Sequence, residues 1–350
     1  RSYNYKDYNL DYPRLSSLQQ EYAQNIKGIY INLWTLSHGE KRKKIIKEIK
    51  ESSLNAIVID LKDIKGRTPF IAKPLKSFPY NLTAQDLKDA ISKWQKQGIY
   101  VIGRIAVFKD EALATYDKQS SLKYKKKQGD RLVQIRSKNW TNPYSKEVWC
   151  YNINIAKKMA ELGFDELQFD YIRFPTLREN STFTIQDQVN VSRAEAILGF
   201  LTKAKEELKQ YNIILSVDLF GLTTTVNGDL GIGQEIKRIA RQVDYISPML
   251  YPSHYSEGSY GIDNPETSPY QIIVNSLADA KQKLGANSYK LRPWLQDFSL
   301  SHNYTKKEIR DQIKAVKDEN LSSWLLWNPQ SKYTIEAVML DNKEGLKNGS

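Results

Sequence analysis

Apolar and polar positions alternate along this chain in two rhythms. Short runs with a two-residue period give way to longer stretches with apolar residues three and four apart. Strands are predicted at Gly28–Trp34, Ala56–Lys62, Tyr100–Phe108, Glu166–Ile172, Ile213–Phe220, Tyr245–Tyr251, Leu291–Phe298 and Ser323–Asn328. Helical patterns lie between them, near 39–52, 83–97, 145–162, 189–209, 229–242, 269–285 and 304–318, with a last helix at about 333–340. Thr83 and Asp86 stand at capping-box spacing, Ser268-Pro269 offers an N-cap followed by proline, and Gly98 and Gly163 close helices. Eight strand–helix pairs predict an α/β fold, a (β/α)8 TIM barrel. A doubly wound sheet is the alternative, but it usually carries a glycine-rich turn after its first strand, and none occurs here. Gly231-x-Gly233 lacks the third glycine of such a motif and reads as a turn.

The barrel is expected over residues 28–342, behind a polar, Tyr-rich N-terminal extension (1–27) and before a C-terminal tail (343–350). A long loop after strand three carries Lys123-Tyr-Lys-Lys-Lys127 and Trp140. A second follows strand six, at Pro252–Pro269. Long loops after barrel strands commonly carry function.

Strand parity divides the side chains between two faces. Ile29, Ile31, Leu33, Ile57, Ile59 and Leu61 are expected to pack outward on the helices. Tyr30, Asn32, Trp34, Val58, Asp60, Lys62, Arg104, Ala106 and Phe108 are then turned inward. So are Gln168, Asp170, Ser216, Asp218, Phe220, Ser247, Met249, Tyr251, Arg292, Trp294 and Gln296, with Trp327 or Asn328 at the mouth. A lumen serving stability alone would be filled by Val, Ile and Leu. This one is charged and aromatic, and burying such charges without use is costly.

The formal net charge of +12 permits an acidic partner, but acids are interspersed almost everywhere, so the bland reading is a lysine-rich solvated surface. Cys150 is the single cysteine, which excludes an internal disulfide. His38, His254 and His302 are scattered, so no metal centre and no cofactor are expected. No apolar run approaches the roughly 20 residues of a membrane helix. The chain opens on Arg1 rather than Met, which fits removal of a leader, and no signal peptide is visible.

Inward carboxylates on adjacent strands suit glycoside hydrolysis, which needs two carboxyl groups flanking the scissile bond. Asp170 is assigned the nucleophile or base role and Asp218 the general acid role. Asp60 positions substrate or serves as an alternative acid, and Arg104 holds Asp170 ionised. Trp34, Tyr251, Trp294 and Trp327 offer flat faces to sugar rings. Asn32, Gln168 and Gln296 offer amides to hydroxyl groups. Tyr30, Arg104 and Arg173 complete the expected binding set. Asp297 falls on the outer face by parity and ranks lower.

The runs Gly28-Ile-Tyr-Ile-Asn, Ala56-Ile-Val-Ile-Asp-Leu-Lys-Asp63 and Gly163-Phe-Asp-Glu-Leu-Gln-Phe-Asp-Tyr-Ile-Arg-Phe-Pro175 resemble a bacterial glycoside hydrolase domain family of unknown function. The resemblance covers about 28–340. It implies a (β/α)8 barrel, polysaccharide or oligosaccharide hydrolysis, and an extracytoplasmic setting. The third run is also similar to the strand-four motif of chitinase-type hydrolases, Gly-Phe-Asp-Gly-x-Asp-x-Asp-x-Glu. Asp165 and Asp170 match it, whereas Gln168 and Ile172 replace an Asp and the catalytic Glu. That departure speaks against a substrate-assisted chitinase mechanism. An acid at the end of strand four beside another on strand five is more similar to the α-amylase-type layout, in which the strand-four Asp is the nucleophile. That family's acid is Glu, and here it is Asp218.

Three other readings compete. A carbohydrate-binding barrel that has lost catalysis would fit the missing Glu. A nucleic-acid or phosphate binder would fit the charge, but no aromatic-interleaved basic motif appears, and no nucleic-acid partner is expected. A metal-dependent hydrolase would need histidines at strand ends, and no strand contains one.

Overall fold

The computed structural model describes residues 23–68, 76–77, 82–128, 131–177, 181–183 and 190–339. Eight parallel strands close into a barrel: β1 (Lys27–Ile31), β2 (Ala56–Lys62), β3 (Tyr100–Ala106), β4 (Glu166–Asp170), β5 (Ile214–Phe220), β6 (Tyr245–Leu250), β7 (Trp294–Gln296) and β8 (Trp324–Trp327). Each pairs with its sequence neighbours, and β8 returns to β1. The helices between them are α1 (Gly39–Lys50), α2 (Ala84–Gln95), α3 (Lys146–Ala160), α4 (Arg193–Leu208), α5 (Ile236–Ile239), α6 (Pro269–Leu284) and α7 (Lys306–Asp318).

Strand parity sorts the packing as expected. Ile29, Ile31, Ile57, Ile59 and Leu61 join the helix-facing core. A separate cluster fills the lumen, including Tyr30, Val58, Tyr100, Ile102, Ile214, Tyr245, Trp294 and Leu325. Ala23 and Ile26 belong to this inner cluster and are fully buried, so the packed domain already includes residues placed above in the extension. Residues 1–22 and the tail 343–350 lie outside the described residues.

Four elements differ from expectation, each for a local reason. β1 stops at Ile31 because Asn32 caps a short helix, Leu33–Ser37, its Oδ1 accepting from the Thr35 backbone N–H. Leu33 and Leu36, three apart, bury the helix's apolar side. The helix expected over 229–242 shrinks to α5, because Leu230, Gly231 and Gly233 all have left-handed φ. Gly231-x-Gly233 is thus a turn. β7 shortens to three residues, and Pro293, which cannot donate to a ladder, precedes it. After β8 a 3-10 turn, Ile335–Ala337, stands where an α-helix was expected.

The long segment after β3 is not an unstructured loop. Asp110 caps a helix, Glu111–Tyr116, and an antiparallel hairpin follows, Ser121–Gln128 against Arg131–Thr141. Its return strand bridges Trp140 to Lys109, three residues past β3.

A glycine sets the spacing at the top of β5. A Cβ on Gly221 would lie 2.3 Å from the Met249 carbonyl oxygen of β6. Backbone cannot yield as a side chain can, so Gly221→Ala should destabilise by about 1–3 kcal/mol through overpacking. An unchanged urea midpoint in that variant would show that β5 and β6 are not held this closely.

Candidate active site

Three layers of polar side chains are stacked in the lumen. At the floor, Glu166 of β4 accepts both of its contacts with the Arg292 guanidinium from Nη2, at 2.9 Å each. Ser216 and Tyr100 also donate to Glu166. Arg292 lies against the Tyr245 ring, 4.5 Å from its centroid. Both charges are fully buried, so this pair closes the barrel floor rather than serving the mouth. Arg292 therefore leaves the constellation of candidate site charges. Glu166 shares the parity of Gln168 and Asp170, and parity alone does not show that it lies at the floor. The middle layer holds Gln168, whose Nε2 donates to Ser247 Oγ at 3.3 Å. Its Oε1 is buried without a hydrogen-bond partner among the described residues.

Arg104 of β3 is the hub of the top layer. Nη1 reaches Asp60 Oδ1 at 2.5 Å, and Nη2 donates to Asp170 Oδ2. Nε stands 3.5 Å from Asp218 Oδ2, within ion-pair reach but without hydrogen-bond geometry. Asp60 also accepts from the Tyr30 hydroxyl at 2.7 Å, so both of its oxygens are engaged. Asp170 Oδ1 accepts from the Tyr171 backbone N–H at 2.5 Å. Tyr171 makes this contact with φ of +51°, a left-handed backbone that costs a bulky residue about 1–3 kcal/mol. Asp218 Oδ1 accepts from Trp294 Nε1 at 2.6 Å. The register pairs Phe169 with Val217, which puts Asp170 and Asp218 at one height on adjacent strands.

One guanidinium thus faces three acids in a buried setting. Burial, then the charge of Asp170, pushes the Asp218 carboxyl well above the ordinary carboxylate range, against the opposing pull of Arg104. Asp60 is also raised, again chiefly by burial. Asp170 makes the closest contact with the guanidinium. The two acids at the ends of β4 and β5 therefore have unlike environments, one paired with a cation and one favouring its proton. Asp170 and Asp218 are 4% and 2% exposed.

Rings surround this layer. Trp327 stacks on Tyr30 with centroids 4.2 Å apart, and Arg104 lies 5.2 Å from the Trp327 ring centroid. Trp327, not Asn328, is the β8 side chain at the mouth. Asn328 instead donates to the Asp297 carbonyl. Tyr251 packs edge-on to Phe298 and His254. Arg173 stands 5.0 Å from the Trp140 centroid and 5.7 Å from that of Tyr171.

Several expected binding residues do other work. Trp294 is only 1% exposed, so its face is closed to a sugar, and its indole N–H orients Asp218 instead. Trp34 sits on the Leu33–Ser37 helix, 41% exposed, beside His38 and under Lys41. It is outside the barrel lumen because the strand ended first. The Asn32 amide is spent on its cap and on the Pro329 carbonyl. Gln296 is fully buried, accepting from Ser253 N–H and donating to the Phe298 carbonyl, which fixes the loop after β6. Lys62 leaves the lumen because a bulge between Asp60 and Lys62 breaks parity. Its ammonium pairs with Asp110 at 2.7 Å and donates to Asn152 of α3. Phe108 packs on Phe200 in the outer core. Asp297 lies off the mouth, as parity gave, held by Thr334.

Tyr171 and Lys109 have no signal in the sequence pattern, and Trp140 stands out there only as part of the long loop after strand three. Tyr171 follows the strand in a conformation that parity does not describe. Trp140 returns to the mouth only through the hairpin's long-range pairing, and Lys109 through its bridge. Among the described residues no group of three or more His, Cys, Asp or Glu side chains could hold a metal ion.

The model of a family described as "Putative glycosyl hydrolase domain" matches residues 28–333. None of the curated proteins compared matches the chain. Among solved structures, the glycoside hydrolase domain of PgaB (BpsB) from Bordetella bronchiseptica aligns at a TM-score of 0.63 with 12% identity, covering 88% of this chain and 94% of that one. The spore cortex-lytic enzyme SleL of Bacillus megaterium QM B1551 aligns at 0.53 with 14% identity, covering 90% and 74%. A GH18 chitinase from Pseudoalteromonas aurantia aligns at 0.51 with 12% identity, covering 89% and 98%. At these identities the three likenesses establish a shared TIM-barrel fold.

Proposed function

Because this chain belongs to the family described as "Putative glycosyl hydrolase domain", we propose that it hydrolyses a polysaccharide or oligosaccharide with Asp170 and Asp218 as its carboxylate pair. The observation that carries the reading is the unlike setting of two acids at one height on β4 and β5. Asp218, buried and held by the Trp294 N–H, protonates the leaving oxygen. Asp170, backed by Arg104 and the Tyr171 N–H, meets the anomeric carbon or the water that attacks it. Asp60 and Tyr30 act at one remove by clamping Arg104 in place. Trp327 and Tyr171, both half-buried, give the sugar ring apolar surface. Among the described residues Arg104 Nε and Gln168 Oε1 are buried without hydrogen-bond partners, and a water molecule could satisfy each.

Action outside the cytoplasm, periplasmic, surface-associated or secreted, belongs to the same reading. It is supported by the likeness in fold to a spore cortex-lytic enzyme. Among the described residues no helix is long and apolar enough to cross a membrane.

A pH profile tests the acid assignment. Asp218 works only while protonated, so kcat/KM should fall as pH rises through its elevated pKa. In Asp218→Asn that alkaline limb should vanish and the remaining rate should be about 10²–10⁴-fold lower. An unaltered profile in the variant would remove Asp218 from the acid role. Glycan binding with no product from any member of a glycan panel would favour a barrel that binds without cleaving.

A further inference from the structure

Beside Asp170 the mouth carries two cations that the hydrolytic pair does not use. Arg173 stands over the rings of Trp140, Tyr171 and Phe220, at 5.0, 5.7 and 5.9 Å from their centroids. Lys109 Nζ is 4.9 Å from the Tyr171 centroid. Both side chains are half-buried. Among the described residues neither forms an ion pair, and the Arg173 guanidinium has one polar partner, the Phe174 carbonyl at 3.1 Å. Balancing Asp170 does not explain them, because Arg104 already contacts that carboxylate directly. Burial lowers the pKa of both groups despite the field of Asp170, and in Lys109 the charge of Arg173 adds to the effect. Two cations partly stripped of water and crowded together are unfavourable unless an anion joins them.

A neutral sugar needs neither charge. A carboxylate suits both, since a guanidinium offers a planar fork of donors and an ammonium adds a point charge. The surrounding rings would meanwhile cover the apolar face of the sugar that bears it. The adjoining hairpin extends the same polarity. Residues 118–138 contain eight lysines and arginines and one acid, Asp130. Trp140, at the end of that hairpin, is bridged to Lys109.

We infer that the substrate is a carboxylate-bearing glycan, and that the acid group of the sugar beside Asp170 rests on Arg173 and Lys109. The inference builds on the hydrolase reading but concerns binding, which can fail or hold by itself. Two sources share the chemistry, a uronic acid and an ether-linked acid such as the lactyl group of a muramic residue.

Equilibrium binding to two matched pairs tests it. The probes are hexameric oligogalacturonate and glycan strands carrying muramic acid, each with its carboxyl-reduced counterpart. The full chain should prefer the acid form of at least one pair by about tenfold or more at low salt. Which pair shows the preference names the source. The preference should disappear in the Arg173→Gln, Lys109→Met double variant, persist in Lys109→Arg, and persist in Asp170→Asn. If the double variant does not fold, Lys109→Met alone should still reduce the preference by about threefold or more. Equal binding of acid and reduced forms in both pairs would overturn the inference, as would a preference that survives removal of both cations. Selective binding without cleavage would sink the hydrolase reading alone, and cleavage of neutral glycans without selectivity would sink only this one.

Discussion

Replacing Asp170 by Asn should lower turnover on a cleavable glycan by on the order of 10³-fold or more while leaving the barrel folded. Asn keeps the shape of Asp, so the Tyr171 N–H can still find an acceptor oxygen. What disappears is the negative charge facing the reaction centre and the ability to attack or to take a proton. Arg104 then lacks its closest counter-ion but keeps Asp60 at 2.5 Å and Asp218 at 3.5 Å, so the site need not collapse. Initial rates by reducing-end release, set beside thermal denaturation of the same samples, separate chemistry from folding. Wild-type turnover in the variant would end the assignment.

Arg104→Met should be the most damaging change to stability. It removes the guanidinium that Asp60, Asp170 and Asp218 share and leaves three acids in a buried cluster. Breaking a buried pair by deleting one partner costs about 3–5 kcal/mol. The sign with pH follows from the acids left behind. Asp60 and Asp218 already have raised folded-state pKa values, so their contribution is fully present below the unfolded carboxylate range and is lost as pH rises through the folded values. Without Arg104 those values move further up. The deficit of the variant should therefore be largest at neutral and alkaline pH and shrink on acidification. Urea unfolding at pH 5 and pH 8 checks this. A deficit that is equal at both values, or larger at pH 5, would mean that Arg104 supports the barrel by packing rather than by charge.

The parts of this molecule that were legible in the sequence are those governed by period. Eight apolar runs gave the eight strands, and alternation within them placed Asp60, Arg104, Gln168, Asp170, Asp218 and Trp294 on the lumen side. Regularity was also the limit. Lys62 fell on the inward parity, but one extra residue at the bulge turned it onto Asp110. Asn32 and Trp34 continued an alternating run, yet the Asn32 side chain formed a better local hydrogen bond as a helix cap than as part of a strand. Parity turns the Trp294 ring toward the lumen but gives direction and not depth. Its indole is sealed and serves Asp218. Trp140 and Lys109 meet through pairing between distant segments, which no local pattern encodes. Glu166 and Arg292 were a readable pair, since both had inward parity, but two charges at the barrel floor are indistinguishable in sequence from two at its mouth.

The proposed division of labour between Asp170 and Asp218 would also account for the heavily bonded layer around them. A general acid must keep its proton near neutral pH, and its partner must not. Burial and the charge of Asp170 raise the Asp218 carboxyl. Arg104 distinguishes them by distance, touching Asp170 and standing off Asp218. Tyr30 and Asp60 hold Arg104 to that geometry, and Trp327 stacks across Tyr30.

The most direct test is mass spectrometry of products formed in ¹⁸O-labelled water from a panel of acidic and neutral glycans. Hydrolysis by this pair predicts one ¹⁸O atom at each new reducing end with the wild-type chain, and no such product above background with Asp170→Asn. Cleavage without incorporation of the label, or equal incorporation by the variant, would contradict the account.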